Sequence, residues 1–127
     1  MQQRIITTYG NYFMKFYSSL DKDVQEKMDW VFEMVKIADK IPKKFFDHLT
    51  GTDGIYEIRV EYESNIYRIL CFFDRGNLVV LINSFQKKTQ KTPPAEIKLA
   101  EKLKKQYFID KKLDNENKNT SGKKIKK

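Results

Sequence analysis

From Tyr56 to Tyr62 aromatic and aliphatic side chains alternate with charged ones: Tyr56, Ile58, Val60 and Tyr62 are interleaved with Glu57, Arg59 and Glu61. A period of two marks a β-strand with one face on a core. Ile66 to Phe73 is apolar apart from Arg68, and Leu78 to Phe85 is apolar apart from Asn83 and Ser84, which predicts two further strands. Glu63-Ser64-Asn65 and Asp74-Arg75-Gly76-Asn77 supply turn residues between them. With Ser64-Asn65 and Arg75-Gly76 as two-residue turns, Glu61 falls opposite Arg68, and Arg68 opposite Asn83. Parity then puts Tyr56, Ile58, Val60, Tyr67, Ile69, Cys71, Phe73, Leu78, Val80, Ile82 and Ser84 on a face that must be covered. The other face carries Arg59, Arg68, Asn83, Phe85 and Lys87, with Glu57 and Glu61 among them. A slip of one residue would send Arg59 or Arg68 into the core, so the pattern argues for this assignment.

The flanking segments supply the cover. Arg4 to Tyr9 is short and β-branched and is predicted as a first strand. Asn11 to Ser19 is predicted as a short helix whose aromatic residues join the core. Asp21 is placed to cap a helix running to about Ala38. Its stripe of Val24, Met28, Val31, Val35 and Ala38, widened by Trp30 and Phe32, should lie across the apolar face of the sheet. Ile41 to Gly54, with Pro42, Gly51 and Gly54, reads as a connector. Thr92 is placed to cap a last helix with Pro93 at its first position, and Ile97, Ala100, Leu103 and Tyr107 form its apolar stripe. From Asp110 the sequence is rich in lysine and asparagine and too poor in apolar residues to offset the entropy of ordering. The expected organisation is one domain over residues 1–109 and a disordered basic tail over 110–127.

Composition narrows the class. A length of 127 residues with 40% hydrophobic content supports one core. There is no 18-residue apolar run to span a membrane, and the first residues lack the apolar segment of a secretory signal, so a cytoplasmic location is expected. Cys71 is the single cysteine; it lies in a predicted strand and reads as a small core residue, which leaves no internal disulfide. The net charge is +8, and the tail's seven lysines against three acids account for half of it. Such a balance favours a polyanionic partner, above all nucleic acid.

Several catalytic devices are absent from the sequence: a phosphate-binding P-loop, a dinucleotide glycine fingerprint, paired histidine or cysteine ligands, and a serine elbow. Glu57 and Glu61 both neighbour arginines and read as salt-bridged face residues rather than a carboxylate pair. What remains is a surface of arginine, lysine and aromatic groups. Two guanidinium groups on adjacent strands, pointing out of the same face, suit one phosphodiester and the extra charge of its transition state. Phe85 is placed to stack a base of single-stranded RNA. The 2′-hydroxyl of RNA is an internal nucleophile, so no metal or cofactor is needed. His48, the only histidine, reads either as a general acid or base or as a plain surface imidazole. In the competing reading Arg59 and Arg68 merely pair with Glu57, Glu61 or a helix C-terminus and hold the sheet together.

YEIR at 56–59, YRILCFF at 67–73 and LINSFQKKTQKTP at 81–93, followed by EIKLA at 96–100, resemble the HigB-like, phage-related branch of the RelE/ParE toxin superfamily. The resemblance covers about residues 5–108. It implies an α+β fold: a small antiparallel sheet of about four strands, two N-terminal helices on one face and a C-terminal helix. It implies a toxin of a type II toxin–antitoxin pair that cleaves mRNA on the ribosome, and a helix-turn-helix, HigA-like antitoxin that neutralises it. Arg59 and Arg68 match the family's strand arginines, Lys87 and Lys88 its paired lysines, and Phe85 the aromatic before them. Asn83-Ser84 stands where relatives often carry histidine, so that strand brings no imidazole base.

The catalytic set expected from residues and resemblance together is Arg59, Arg68, Lys87 and Lys88. Asn83, Phe85, Lys91, Lys43, Lys44 and His48 are the expected RNA contacts. An ordinary lysine is protonated at neutral pH, so positioning and charge would carry most of the chemistry. Two other functions fit the same pattern: a non-enzymatic poison of DNA gyrase with the same fold, and an inactive RNA-binding module. The first predicts DNA breaks; the second predicts salt-sensitive RNA affinity without cleavage.

Overall fold

The computed structural model describes residues 3–87 and 91–125, with side chains up to residue 117. The elements run β1 (Ile5–Thr8), α1 (Tyr12–Ser18), α2 (Lys22–Ile37), β2 (Phe46–His48), β3 (Tyr56–Tyr62), β4 (Asn65–Asp74), β5 (Leu78–Lys87) and α3 (Pro94–Ile125). The strands form a five-stranded sheet in the order β1-β5-β4-β3-β2. The fold is α+β, as the resemblance implies, with two differences from the expected antiparallel sheet of about four strands. β1 lies parallel to β5, which makes the sheet mixed. β2, only three residues long, pairs antiparallel with β3 from within the predicted connector. So short a strand flanked by proline and glycines has no periodicity to reveal it. Among the described residues no helix is long and apolar enough to cross a membrane.

The hairpin registers correct the predicted turns. Glu63 and Ser64 form the β3–β4 turn, both with positive φ (47° and 69°), and Tyr62 pairs with Asn65. Positive φ at both central residues gives the backbone twist that two-residue hairpins prefer. Arg68 therefore lies opposite Arg59, not Glu61. In the second hairpin Asp74 pairs with Leu78, so Arg75, Gly76 and Asn77 form the loop. Farther along, Ile69 pairs with Ser84 but Cys71 with Leu81, so Ile82 and Asn83 together oppose Leu70 in a bulge. The three-residue loop, one residue longer than predicted, reverses the predicted parity of β5 on the hairpin side, and the bulge restores it beyond. Arg68 thus lies opposite Phe85, not Asn83.

Both faces of the sheet consequently carry a core. On one, Val24, Met28, Val31 and Val35 of α2 pack with Phe13 of α1 on Ile58, Val60, Ile69, Cys71, Val79 and Leu81. On the other, Ala100 and Leu103 of α3 pack on Ile55, Leu70, Phe72, Val80 and Ile82. Leu78, Val80 and Ile82 belong to this second core, contrary to the single-apolar-face expectation. Cys71 is a fully buried core residue as expected, and burial raises its thiol pKa. Trp30, assigned to the core stripe of α2, is instead 54% exposed.

α3 continues through the point where the tail was expected to begin. Tyr107 donates to Asp74 at 2.7 Å, and Lys111 reaches both oxygens of the same carboxylate at 2.8 and 3.0 Å. Tyr9 donates to Asp110. Asp110 and Lys111 are therefore fastened to the body of the domain, whereas residues 112–117 are exposed. Burial tends to raise the pKa of Asp74, but Lys111 and Tyr107 outweigh it and hold the carboxyl below its ordinary value. A depressed carboxylate contributes stability above its unfolded pKa, lost as pH falls through the folded value. Tyr9 behaves in the opposite sense: its bond to Asp110 and then burial push its pKa to about 12, so its contribution is lost as pH rises through that value. Asp74→Ala is expected to cost about 1–3 kcal/mol by leaving the Tyr107 hydroxyl and the Lys111 ammonium unpaired. Urea titration and faster amide exchange in the second half of α3 measure it; unchanged exchange there would remove Asp74 as the anchor.

Candidate functional site

The face under α3 has two halves. α3 covers the apolar end and leaves the end bearing Arg59, Glu61, Arg68 and Lys87 open. Arg59 and Arg68 are direct cross-strand partners, an arrangement that repels unless an anion lies between them. Glu57, on the same face of β3, is that anion. Its Oε1 accepts from Arg59 Nε at 2.9 Å and pairs with Nη2 at 2.8 Å, and its Oε2 accepts from Arg68 Nη1. Thr92, in the segment entering α3, donates to Glu57 Oε2 at 3.2 Å and accepts from Arg68 Nη1 at 3.2 Å. Thr92 therefore belongs to this network. The capping role expected of it passes to Pro93, whose carbonyl accepts the first helical bonds from Glu96 and Ile97.

Burial separates the two arginines. Glu57 is 1% and Arg68 5% exposed, while the side chain of Arg59 is 32% exposed. Arg68 shares the face of Arg59 but does not present a free fork to solvent; its buried Nε has no hydrogen-bond partner among the described residues. Of the two arginines expected to clamp one phosphodiester, only Arg59 is part-exposed. Arg59 is the accessible group, and Arg68 holds the carboxylate that aims it.

These groups line an open cleft of about 800 Å³. Arg59, Arg68, Lys87, Lys91 and His48 meet there, from β3, β4, β5, the segment before α3, and β2. Glu57, Glu61 and Asp47 supply the acidic groups of its wall. Lys87 is the perturbed base. Burial first, then the charges of Arg68 and Arg59, lower its pKa below the ordinary 10.5, with Glu57 opposing. His48 is exposed, and its ring meets Tyr56 edge-on at 5.1 Å.

Other expected contacts lie elsewhere. Asn83 is buried, and its Nδ2 donates to Glu96 O and Oε1, both at 2.9 Å, so it fixes the start of α3 instead of facing a ligand. Phe85 is half-buried and packs against the core under α3. Lys44 stands over the Phe45 ring and lines a smaller cavity on the far side of Arg59. Lys43 is exposed in the connector. Lys88 lies outside the described residues. The sequence reading has Glu57 and Glu61 as salt-bridged face residues, and Glu57 is one. The competing reading, in which Arg59 and Arg68 pair with Glu57, Glu61 or a helix C-terminus, holds for Glu57, which bonds both arginines.

No curated protein matches the chain. The family described as phage derived protein Gp49-like (DUF891) matches residues 15–105, from α1 through the first turns of α3. That match covers most of the chain and every described group of the cleft, and the chain belongs to this Gp49-like family of RelE/HigB-type toxins, the toxin halves of toxin–antitoxin pairs.

Proposed function

We propose that the protein is a metal-independent endoribonuclease toxin that cleaves mRNA on the ribosome and is neutralised by a helix-turn-helix, HigA-like antitoxin. The observation that supports this most is the convergence of Arg59, Lys87, Lys91 and His48 in one cleft, above a buried Arg68–Glu57–Thr92 network. An open, cation-lined groove suits a strand of RNA.

In the proposed reaction the 2′-oxygen attacks the adjacent phosphorus. The new P–O2′ bond forms as the P–O5′ bond breaks, leaving a 2′,3′-cyclic phosphate and a 5′-hydroxyl. Arg59 offsets the charge that builds on the phosphoryl oxygens. Lys87, with its lowered pKa, is the group placed to take or give a proton, since its neutral form is more accessible than an ordinary lysine's. Arg68 is a positioning residue that acts through Glu57.

Induced expression with mapping of mRNA 5′ ends tests the proposal. The expected result is new 5′-hydroxyl ends within translated reading frames and an abrupt halt in protein synthesis. DNA breaks with intact mRNA would replace it with the gyrase reading. RNA affinity that falls steeply with salt, without cleaved product, would replace it with a simple binding module.

A further inference from the structure

Beyond Arg59 the surface continues around the edge of the sheet. β2 pairs with β3 only as far as Ile58, and Arg59 N–H donates to Phe45 O at 2.9 Å. Past that point the edge of β3 is uncovered, and a second cavity of about 190 Å³ opens there. Lys27, Lys44, Phe45, Arg59 and Glu61 line it, so Arg59 and Glu61 belong to both cavities. Trp30 adjoins it: its ring meets Phe45 edge-on at 5.8 Å, and Lys27 Nζ sits 4.9 Å from the indole centroid. Lys44 Nζ stands 5.0 Å from the Phe45 ring. Trp30 remains more than half exposed although α2 has a full apolar stripe without it.

We infer that Trp30, Phe45, Lys27 and Lys44 form a second binding subsite, for a nucleotide of single-stranded RNA flanking the one held at Arg59. The inference rests on the ribonuclease reading for the direction of the strand but on its own residues for the contact. Lys27 lies over one face of the indole, so a base stacks there by displacing that ammonium onto its own phosphate, and Lys44, over the neighbouring Phe45 ring, holds the next phosphate. The lining carries three cations, Lys27, Lys44 and Arg59, against one anion, Glu61. That balance favours a polyanion with flat rings over an apolar peptide. Because Arg59 and Glu61 line both cavities, the two are contiguous there, and the proposed strand passes from one to the other across Arg59.

Trp30 is the only tryptophan of the chain, so its emission reports this subsite directly. The 127-residue chain is titrated with a 2′-O-methyl RNA oligomer, which lacks the nucleophile and stays intact. The expected result is quenching of Trp30 emission at low salt. Binding of the same oligomer, followed by polarisation of a label, should weaken about 5- to 150-fold in Trp30→Leu and only a few-fold in Trp30→Phe. Replacing Lys27 and Lys44 together by alanine should flatten the log–log salt dependence by about 1.4, the value for two phosphate contacts on a single strand.

Unchanged emission on adding RNA, or wild-type affinity in Trp30→Leu, would overturn the subsite. Quenching by the antitoxin but not by RNA would overturn it in favour of a protein-binding surface. Mapping mRNA ends with the same protein separates the two proposals. Cleavage with silent Trp30 leaves the nuclease standing and removes the subsite, whereas quenching without cleavage does the reverse.

Discussion

Glu57→Ala is expected to destabilise the fold by about 3–5 kcal/mol, the usual cost of stranding a buried charge by deleting its partner. Arg68 is 5% exposed, and its other bond, from Nη1, goes to a threonine hydroxyl. Without the carboxylate its guanidinium stays desolvated and directly faces Arg59 across the β3–β4 ladder. Glu57→Gln keeps the shape and one acceptor but removes the charge, so it should fall between alanine and wild type. An apolar replacement of the whole pair, Glu57→Leu with Arg68→Met, should recover most of the stability, since well-packed hydrophobic residues often equal a buried ion pair. If Glu57 also aims Arg59, the apolar double variant will fold and remain inactive in mRNA cleavage. Chemical denaturation of the three variants checks the first part, and 5′-end mapping the second. A loss below about 1 kcal/mol in Glu57→Ala would show that water already reaches Arg68 and that the network is a surface ion pair.

That network shows where sequence reasoning reached and where it stopped. Alternation from Tyr56 to Tyr62 placed Glu57, Arg59 and Glu61 on one face and Ile58 and Val60 on the other, and this is correct. The predicted β3–β4 turn lay one residue too far along the chain. Moving the centre of a hairpin by one residue shifts each cross-strand partner by two, so faces survive the error while partners do not. This is why Arg59 and Arg68 were assigned to one surface correctly but not opposite each other. In β5 the hairpin loop has three residues where two were predicted, which moves Leu78, Val80 and Ile82 to the core under α3, and the unforeseen bulge at Ile82–Asn83 returns Ser84 and Phe85 to their predicted faces. A continuous apolar run carries no parity signal, so nothing local could reveal it. Trp30 was drawn into the core stripe because a large ring usually goes there. Its exposure is visible only once the four buried residues of α2 are seen to fill that face alone. Parity puts Asn83 on the face of Arg59 and Arg68 as an expected contact; its partner is the start of α3, which comes from the following segment.

Arg59→Ala is expected to lower mRNA cleavage by about 10²–10³-fold, the range for losing one preorganised group that stabilises a transition-state anion. Its stability should change less than that of Glu57→Ala, because Arg59 is partly solvated and the buried Glu57 carboxylate it leaves keeps Arg68 and Thr92 as partners. Lys87 separates charge from proton transfer. Lys87→Arg keeps a cation that does not deprotonate in the working range, so binding to a non-cleavable RNA should persist while cleavage falls. Cleavage by the wild type should rise with pH toward the lowered Lys87 pKa if the neutral amine takes the proton, and Lys87→Arg should lose that rise. The linkage has a definite sign. Between the lowered folded value and the ordinary 10.5 the unfolded chain binds more protons than the folded one, so stability increases with pH through that window. At neutral pH the charged lysine is therefore a cost to the native state. Lys87→Met should be at least as stable as wild type there, and its advantage should fade as pH rises toward 10.5. A variant that is both less stable at neutral pH and fully active would place Lys87 in the structure and not in the chemistry.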